Sequence, residues 1–263
     1  MVITSKDNEL IKHIKKLKEK KYREEYNEFI VEGIKMIQEA IDENVKIKQV
    51  IVCDDCKNAG AIPNELMYEI AKMECIYVSE KVFNTITDVI NPQGIMAVLE
   101  KPINAENKID YNDSNFLILD NIQDPGNMGT ILRTADSLNM KQIIVSKGSA
   151  DIYNLKVVRS TMGAIFRVKV IESENLIKTI KELKKHKIKV YATDLKTDKS
   201  IYNVDYSKSA IIIGNESNGV SDEVLNEATE RIKIPMIGKT ESLNAAVATS
   251  IIMYEVFRSE NKI

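Results

Sequence analysis

From Phe116 to the C-terminal region, apolar runs of strand length alternate with amphipathic segments of helix length, and this alternation restricts the fold more than any single residue. Strands are expected at 116–119, 142–145, 167–171, 188–192, 210–213 and 231–234, with helices at 127–138, 174–186, 220–227 and 242–258. Such a pattern predicts a parallel sheet with crossover helices, which binds ligands at the carboxyl ends of its strands. The N-terminal part reads as a smaller α/β domain. Residues 5–20 look helical, Phe29-Ile30-Val31 is a strand, and Ile30, Ile34, Ile37 and Ile41 then mark a helical face. Strands follow at Lys48–Val52, Cys75–Val78 and Gly94–Leu99, with helices at Asn64–Lys72 and at 80–87, the latter behind Ser79 as its cap. The expected division is a domain over 1–100, a polar linker over 101–114 that contains Pro102, and a second domain over 115–263.

Composition excludes several classes. The 263 residues are 44% hydrophobic and 29% charged, as in ordinary globular proteins. There is no run of 18 apolar residues for a membrane span, and the start of the chain is charged rather than signal-like, so a cytoplasmic location is expected. The formal net charge of −2 is not that of a general nucleic-acid binder. Charge is nevertheless concentrated locally. Lys15, Lys16, Lys20 and Arg23 belong to a basic arm over residues 6–23, which either contacts phosphates or is a solvated helix face. A second lysine cluster, 178–189, reads as a solvated face. Cys53 and Cys56 form a Cys-x-x-Cys, but a structural zinc site needs four ligands and no second pair is spaced to complete it. The pair therefore reads as a strand end and turn, and no metal is expected. With two histidines in the chain, histidine acid–base chemistry is also a poor fit.

Three later segments carry chemistry. Residues 121–133, Asn-Ile-Gln-Asp-Pro-Gly-Asn-Met-Gly-Thr-Ile-Leu-Arg, run from a strand end through a Pro-Gly turn into a helix. Met128, Ile131, Ala135 and Leu138 form that helix's apolar stripe, and at about 100° per residue Arg133 lies roughly opposite it. Asn127 is placed either to cap the helix or to bind substrate. In the second segment, 211–219, Gly214 follows a buried strand, where a glycine permits close approach of a ligand, and Glu216 follows it. In the third, 234–244, Ser242 is a natural cap for a last helix that is apolar almost all round and so is expected to be buried. A fourth stretch, 158–166, presents Arg159, which reaches an RNA phosphate or is a plain surface arginine.

Taken in order, these segments resemble the signature motifs of the SpoU-type (TrmH-like) RNA 2′-O-ribose methyltransferases of the SPOUT superfamily. The resemblance implies S-adenosylmethionine as cofactor, without a metal, and a knotted cofactor loop in the parallel-sheet domain. It also implies a homodimer packed through that domain. Gly214, Ile234, Met236 and Leu243 would contact the cofactor, with Ser242 and Asn244 shaping the site. Arg133, Asn127 and Glu216 would be catalytic. Val31-Glu32-Gly33 followed by a helix resembles the RNA substrate-binding domain many of these enzymes carry, which implies ribosomal RNA as substrate. A transfer-RNA methyltransferase and a non-catalytic RNA-binding assembly factor are the alternatives. Methyl transfer from a sulfonium needs a held nucleophile more than a metal. An arginine with pKa above about 12 is a poor base but a good phosphate ligand and alkoxide stabiliser; the resemblance also allows Arg133 the deprotonating role.

Overall fold

The computed structural model describes residues 2–56, 62–102, 109–113, 115–261 and 263; half of the expected linker, at 103–108 and 114, lies outside them. The chain divides into two compact units, 1–102 with 151–166, and 103–150 with 167–263. In this division residues 151–166 group with the N-terminal part, although the sequence places them within a continuous 115–263 domain.

The first unit contains β1 (Val2–Ile3), α1 (Glu9–Lys16), α2 (Lys20–Tyr26), β2 (Glu28–Glu32), α3 (Ile34–Asp42), β3 (Ile47–Cys53), α4 (Asn64–Ile70), β4 (Cys75–Val78), α5 (Glu80–Phe83) and β5 (Ile95–Glu100). Its five strands form one sheet in the order β1-β4-β3-β5-β2. Alternating side chains serve opposite faces, as a pleated strand requires. Phe29, Val31, Val50, Val52 and Ala97 pack with Ile37, Leu66 and Ile70 of α3 and α4. Ile30, Ile51, Met96 and Val98 pack with Ile11, Ile14 and Phe83. Cys53 ends β3, and its sulfur is joined to that of Cys56, with Cα atoms 5.6 Å apart. Ser79 stands at the α5 cap position without a side-chain cap bond; Asp55 instead accepts from the Glu80 amide.

The helix expected over 5–20 spans only Glu9–Lys16, a second follows at Lys20–Tyr26, and a buried arginine ties the two together. Arg23 is 3% exposed. Its Nη1 donates to the Leu17 carbonyl at 2.7 Å, beyond the end of α1, and its Nη2 and Nε donate to Asp151 Oδ2 at 2.5 and 3.1 Å. This corrects the expectation that Arg23 contacts RNA: its guanidinium is committed inside the unit.

The second unit contains β6 (Asn115–Leu119), α6 (Pro125–Ser137) and β7 (Gln142–Ser146). The chain then gives α7 (Leu155–Thr161) to the first unit and returns with β8 (Lys169–Ser173), α8 (Leu176–Lys185), β9 (Lys189–Thr193), β10 (Ser209–Ile213), α9 (Asp222–Leu225), β11 (Glu230–Ile232) and α10 (Ala245–Asn261). The six strands are all parallel, in the order β11-β9-β10-β6-β7-β8. A parallel sheet is covered on both faces, which is why its central strands β6, β7 and β10 read as apolar runs, while the edge strand β11 carries the exposed Glu230 and Arg231. Phe116, Ile118, Ile144 and Ile212 pack with Ile180 and Leu183 of α8 and Val224 of α9. Their neighbours Leu117, Leu119, Ile143 and Ile211 are equally buried. Helices α6 and α10 pack on each other. The last helix is only half buried, contrary to expectation: Val247, Ile251 and Tyr254 are 48%, 37% and 54% exposed, at spacings that place them on one stripe.

Replacing Arg23 by alanine leaves Asp151 and the Leu17 carbonyl without their partner. The expected loss is about 3–5 kcal/mol, as for breaking a buried ion pair, measured by urea denaturation. A change within about 0.5 kcal/mol, typical of surface sites, would contradict the structural role.

Candidate active site

In the parallel sheet, β6 leads to β7 on one side, whereas β10 leads through α9 to β11 on the other. The crevice between the carboxyl ends of β6 and β10 is therefore a topological switch point, where open parallel sheets place ligands. The first and second sequence segments leave the sheet at this crevice.

The turn after β6 shows which residue caps α6. Asp124 is the cap of α6: its Oδ1 accepts from the Asn127 amide at 2.8 Å, and Pro125 occupies the first helical position, where its missing N–H costs nothing. The Asn127 side chain is thus not the cap and is available for other bonds. Asp120, at the strand end, accepts from both the amide and the hydroxyl of Ser221 at 2.9 and 2.8 Å, so Ser221 does not cap α9 with its side chain.

After β10, Asn215 and Gly219 exchange two backbone hydrogen bonds of 2.9 Å and close a tight turn. Gly219 has φ +71°, a conformation that favours glycine. Asn215 Oδ1 accepts from the Ser217 and Asn218 amides, and its Nδ2 donates to the Asn121 carbonyl at 2.9 Å, which fixes this turn to the one after β6. Gly214 has a different reason for being glycine than the expected one. A Cβ there would meet the Gly219 carbonyl carbon and the Val220 nitrogen at 2.0 Å. Closure of the chain on itself already excludes a side chain.

After β11, residues 234–243 precede α10, and the cap of that helix is Asn244 rather than Ser242. Asn244 Oδ1 accepts from the Ala246 and Val247 amides at 2.9 and 3.2 Å. Its Nδ2 donates to Asn127 Oδ1 at 2.9 Å, and Asn127 Nδ2 donates to Glu216 Oε1 at 2.7 Å. A carboxylate only accepts, so the Asn127 amide must turn its nitrogen to Glu216 and its oxygen to Asn244. One residue from each of the three segments is thereby placed in one hydrogen-bonded chain.

Arg133 projects from α6, exposed as its helical position predicts; among the described residues it has no hydrogen-bond or ion-pair partner. The next residue, Thr134, shares a 3.2 Å hydroxyl contact with Ser250 of α10. The remaining expected RNA contacts are in the first unit. Lys15 is half-buried, Lys16 and Lys20 are exposed on α1 and α2, and Arg159 is half-buried on α7. Arg159 is close enough to favour the charged form of Glu32, whose carboxyl burial nevertheless pushes up from the ordinary range.

The loop after β11 holds the residues that the family resemblance assigns to the cofactor. Among the described residues, the peptide groups of 234–243 make no hydrogen bonds, so their donors and acceptors are free for a ligand. Ile234 and Leu243 are half-buried, Met236 is 36% exposed, and Ser242 is exposed. Two exposed apolar residues stand nearby in the topology: Ile237 in the same loop and Leu195, 59% exposed, just after the adjacent β9. Neither has a local sequence signal; strand adjacency alone reveals Leu195. Apolar side chains with a few unpaired polar groups suit an adenosine-bearing cofactor.

Comparison with known proteins gives this geometry its class. Residues 114–254 match the SpoU rRNA Methylase family, and residues 8–97 match an MRM3-like substrate binding domain. The chain belongs to the SpoU methylase family. It is 35% identical over 255 residues to the 23S rRNA (guanosine(2553)-2′-O)-methyltransferase RlmP of Bacillus subtilis, covering 97% of this chain and 98% of that one. The AdoMet-bound rRNA methyltransferase of Sinorhizobium meliloti superposes with a TM-score of 0.87 at 30% identity, covering 98% and 97% of the two chains. The A. aeolicus TrmH/SpoU tRNA modifying enzyme covers only 57% of this chain and 76% of its own, with a TM-score of 0.51 at 28% identity.

Because Gly214 is constrained by its own chain, Gly214→Ala should lose stability as well as cofactor affinity, by at least the ~1–3 kcal/mol of an overpacked site. The urea midpoint and calorimetric titration with S-adenosylmethionine measure the two effects. An unchanged midpoint with weakened binding would return Gly214 to a purely ligand-facing role.

Proposed function

We propose that the protein methylates a ribose 2′-hydroxyl of ribosomal RNA with S-adenosylmethionine as donor. The observation that carries this reading is the Glu216–Asn127–Asn244 hydrogen-bonded chain at the switch point, with Arg133, which has no partner among the described residues, on the same helix as Asn127. When bound, S-adenosylmethionine supplies a methyl group already activated on a sulfonium. Residues 234–243 would hold it through free peptide groups and the side chains of Ile234, Met236 and Leu243, with Ser242 at the rim and the Gly214 backbone beside the turn. A knotted path of this loop accords with membership of the family. Glu216, held by Asn127, orients the ribose. Arg133 binds the neighbouring phosphate and stabilises the developing alkoxide, a role suited to a planar guanidinium that stays charged.

Ribosomal RNA is favoured over transfer RNA by the extent of the similarity. The relative that acts on 23S rRNA matches nearly the whole chain, and the transfer-RNA enzyme matches little more than half of it. Arg133→Ala should be nearly neutral for stability, within about 0.5 kcal/mol, yet slow single-turnover methyl transfer by about 100-fold or more at saturating cofactor. Arg133→Lys keeps the charge but not the fork and should also be impaired. Near-wild-type rates in the alanine variant would contradict the role given to Arg133.

The functional unit in this reading is a homodimer. The support within the chain is the apolar stripe Val247, Ile251 and Tyr254, exposed on a helix that buries Ala245, Ala246, Thr249, Ile252, Met253 and Val256. Charge introduced by Ile251→Glu should convert a species of twice the chain mass to one of single mass in sedimentation equilibrium. A wild-type protein that sediments as a monomer at micromolar concentration would count against the dimer.

A further inference from the structure

The basic arm of the first unit carries an aromatic feature that the methyl-transfer site does not use. Tyr22 and Tyr26 lie one helical turn apart on α2, with rings 6.2 Å apart and nearly parallel at 11°. The two residues differ in what holds them. Tyr26 packs against the cluster beneath β2 and β3 and receives His13 edge-on at 4.7 Å. Tyr22 belongs to neither of the two apolar clusters that fill the unit, and it is half-exposed. Two mobile cations lie over its ring: the ammonium of Lys16 from α1 at 5.5 Å from the centroid and that of Lys21 at 5.4 Å, where an incoming base would take their place and leave them to its phosphates.

The lysines around it are uneven in their pairing. Lys12 is paired with Glu9 at 2.8 Å, Lys18 with Asp88 at 2.7 Å and Lys20 more loosely with Glu24 at 3.6 Å. Among the described residues, Lys15, Lys16 and Lys21 have no carboxylate within ion-pair distance. The patch thus combines a half-exposed ring with three lysines that, among the described residues, have no carboxylate within ion-pair distance. Aromatic faces stack on any nucleobase, and lysines around them take the adjoining phosphates. A base inside a duplex offers no free face to such a ring, whereas an unpaired base does.

We propose that Tyr22 is a stacking site for one unpaired nucleobase of the RNA substrate, with Lys15, Lys16 and Lys21 contacting the flanking phosphates. This rests on the reading of the protein as an RNA methyltransferase and adds to it that the first unit selects single-stranded RNA. The helix pair α1–α2 holds the site in shape through the buried Arg23, so the lysines are presented on a fixed frame rather than on a loose tail.

The test uses the full chain, a single-stranded oligouridylate and an RNA duplex of equal strand length, with binding followed by fluorescence anisotropy across a salt series. Wild type should prefer the single strand. Tyr22→Leu should weaken single-strand binding by about tenfold, within the range found for removing one base–aromatic stack, and leave both duplex binding and the salt slope unchanged. Tyr22→Phe should bind as wild type, because the ring is kept. The paired substitution Lys16→Gln with Lys21→Gln should reduce the slope by about 0.7 per lost contact. Circular dichroism melting confirms that each variant is folded. Undiminished single-strand binding by Tyr22→Leu, beside a reduced slope in the lysine variant, would overturn the stacking site while leaving the arm as an RNA contact. Unchanged affinity and slope in both variants would remove the arm from RNA binding altogether and with it this proposal, without bearing on methyl transfer at Arg133.

Discussion

The Glu216 carboxylate organises the catalytic edge of the second unit. It can only accept hydrogen bonds, so it dictates the orientation of the Asn127 amide, and that amide in turn dictates the orientation of Asn244. At the far end, Asn244 is held by the first free amides of α10. A side-chain carboxylate and a helix terminus, each with one possible polarity, thus bracket two amides that could individually point either way. The result ties the segments after β6, β10 and β11 together at the switch point of the sheet. Asn127 is 8% exposed, so removing either neighbour leaves a nearly buried polar group without its partner, a costly state.

The surrounding bonds divide the edge into a rigid part and an open part. Asp120 holds Ser221, Asn215 holds the Asn121 carbonyl, and the Gly214–Gly219 turn is closed so tightly that no side chain fits at Gly214. These contacts fix the positions of Glu216 and Asn127. The ten residues before Asn244, by contrast, make no backbone hydrogen bonds among the described residues. Fixed polar side chains on one side and a loop able to hold the methyl donor on the other suit a transfer in which the nucleophile must be held close to the methyl group.

Much of this was legible in the sequence. The central strands β6, β7 and β10 could be read because they are buried on both faces and so are almost continuously apolar, and the exposure of Arg133 followed from helical geometry alone. Caps were less legible. Ser242 and Asn244 are both good cap residues two positions apart, and the choice depends on where the preceding loop ends, which no local pattern records. The same holds for Asp124 and Asn127. Arg23 sits among lysines and looks like one more surface cation; its partner Asp151 is 128 residues away, so its burial could not be read locally. The placement of 151–166 with the first unit was hidden for the same reason. Gly214 was recognised as special, but the source of its constraint, the chain's own backbone, required coordinates.

The central claim is that a methyl group is placed on a ribose oxygen of ribosomal RNA. Its most direct test is to incubate the purified protein with ribosomal RNA from cells lacking it and with methyl-labelled S-adenosylmethionine, then to hydrolyse the RNA in alkali. Alkaline cleavage requires a free 2′-hydroxyl, so a ribose-methylated nucleotide survives joined to its 3′ neighbour. The account predicts label in an alkali-resistant dinucleotide. Label recovered in mononucleotides, as from a methylated base, or no incorporation at all, would contradict it.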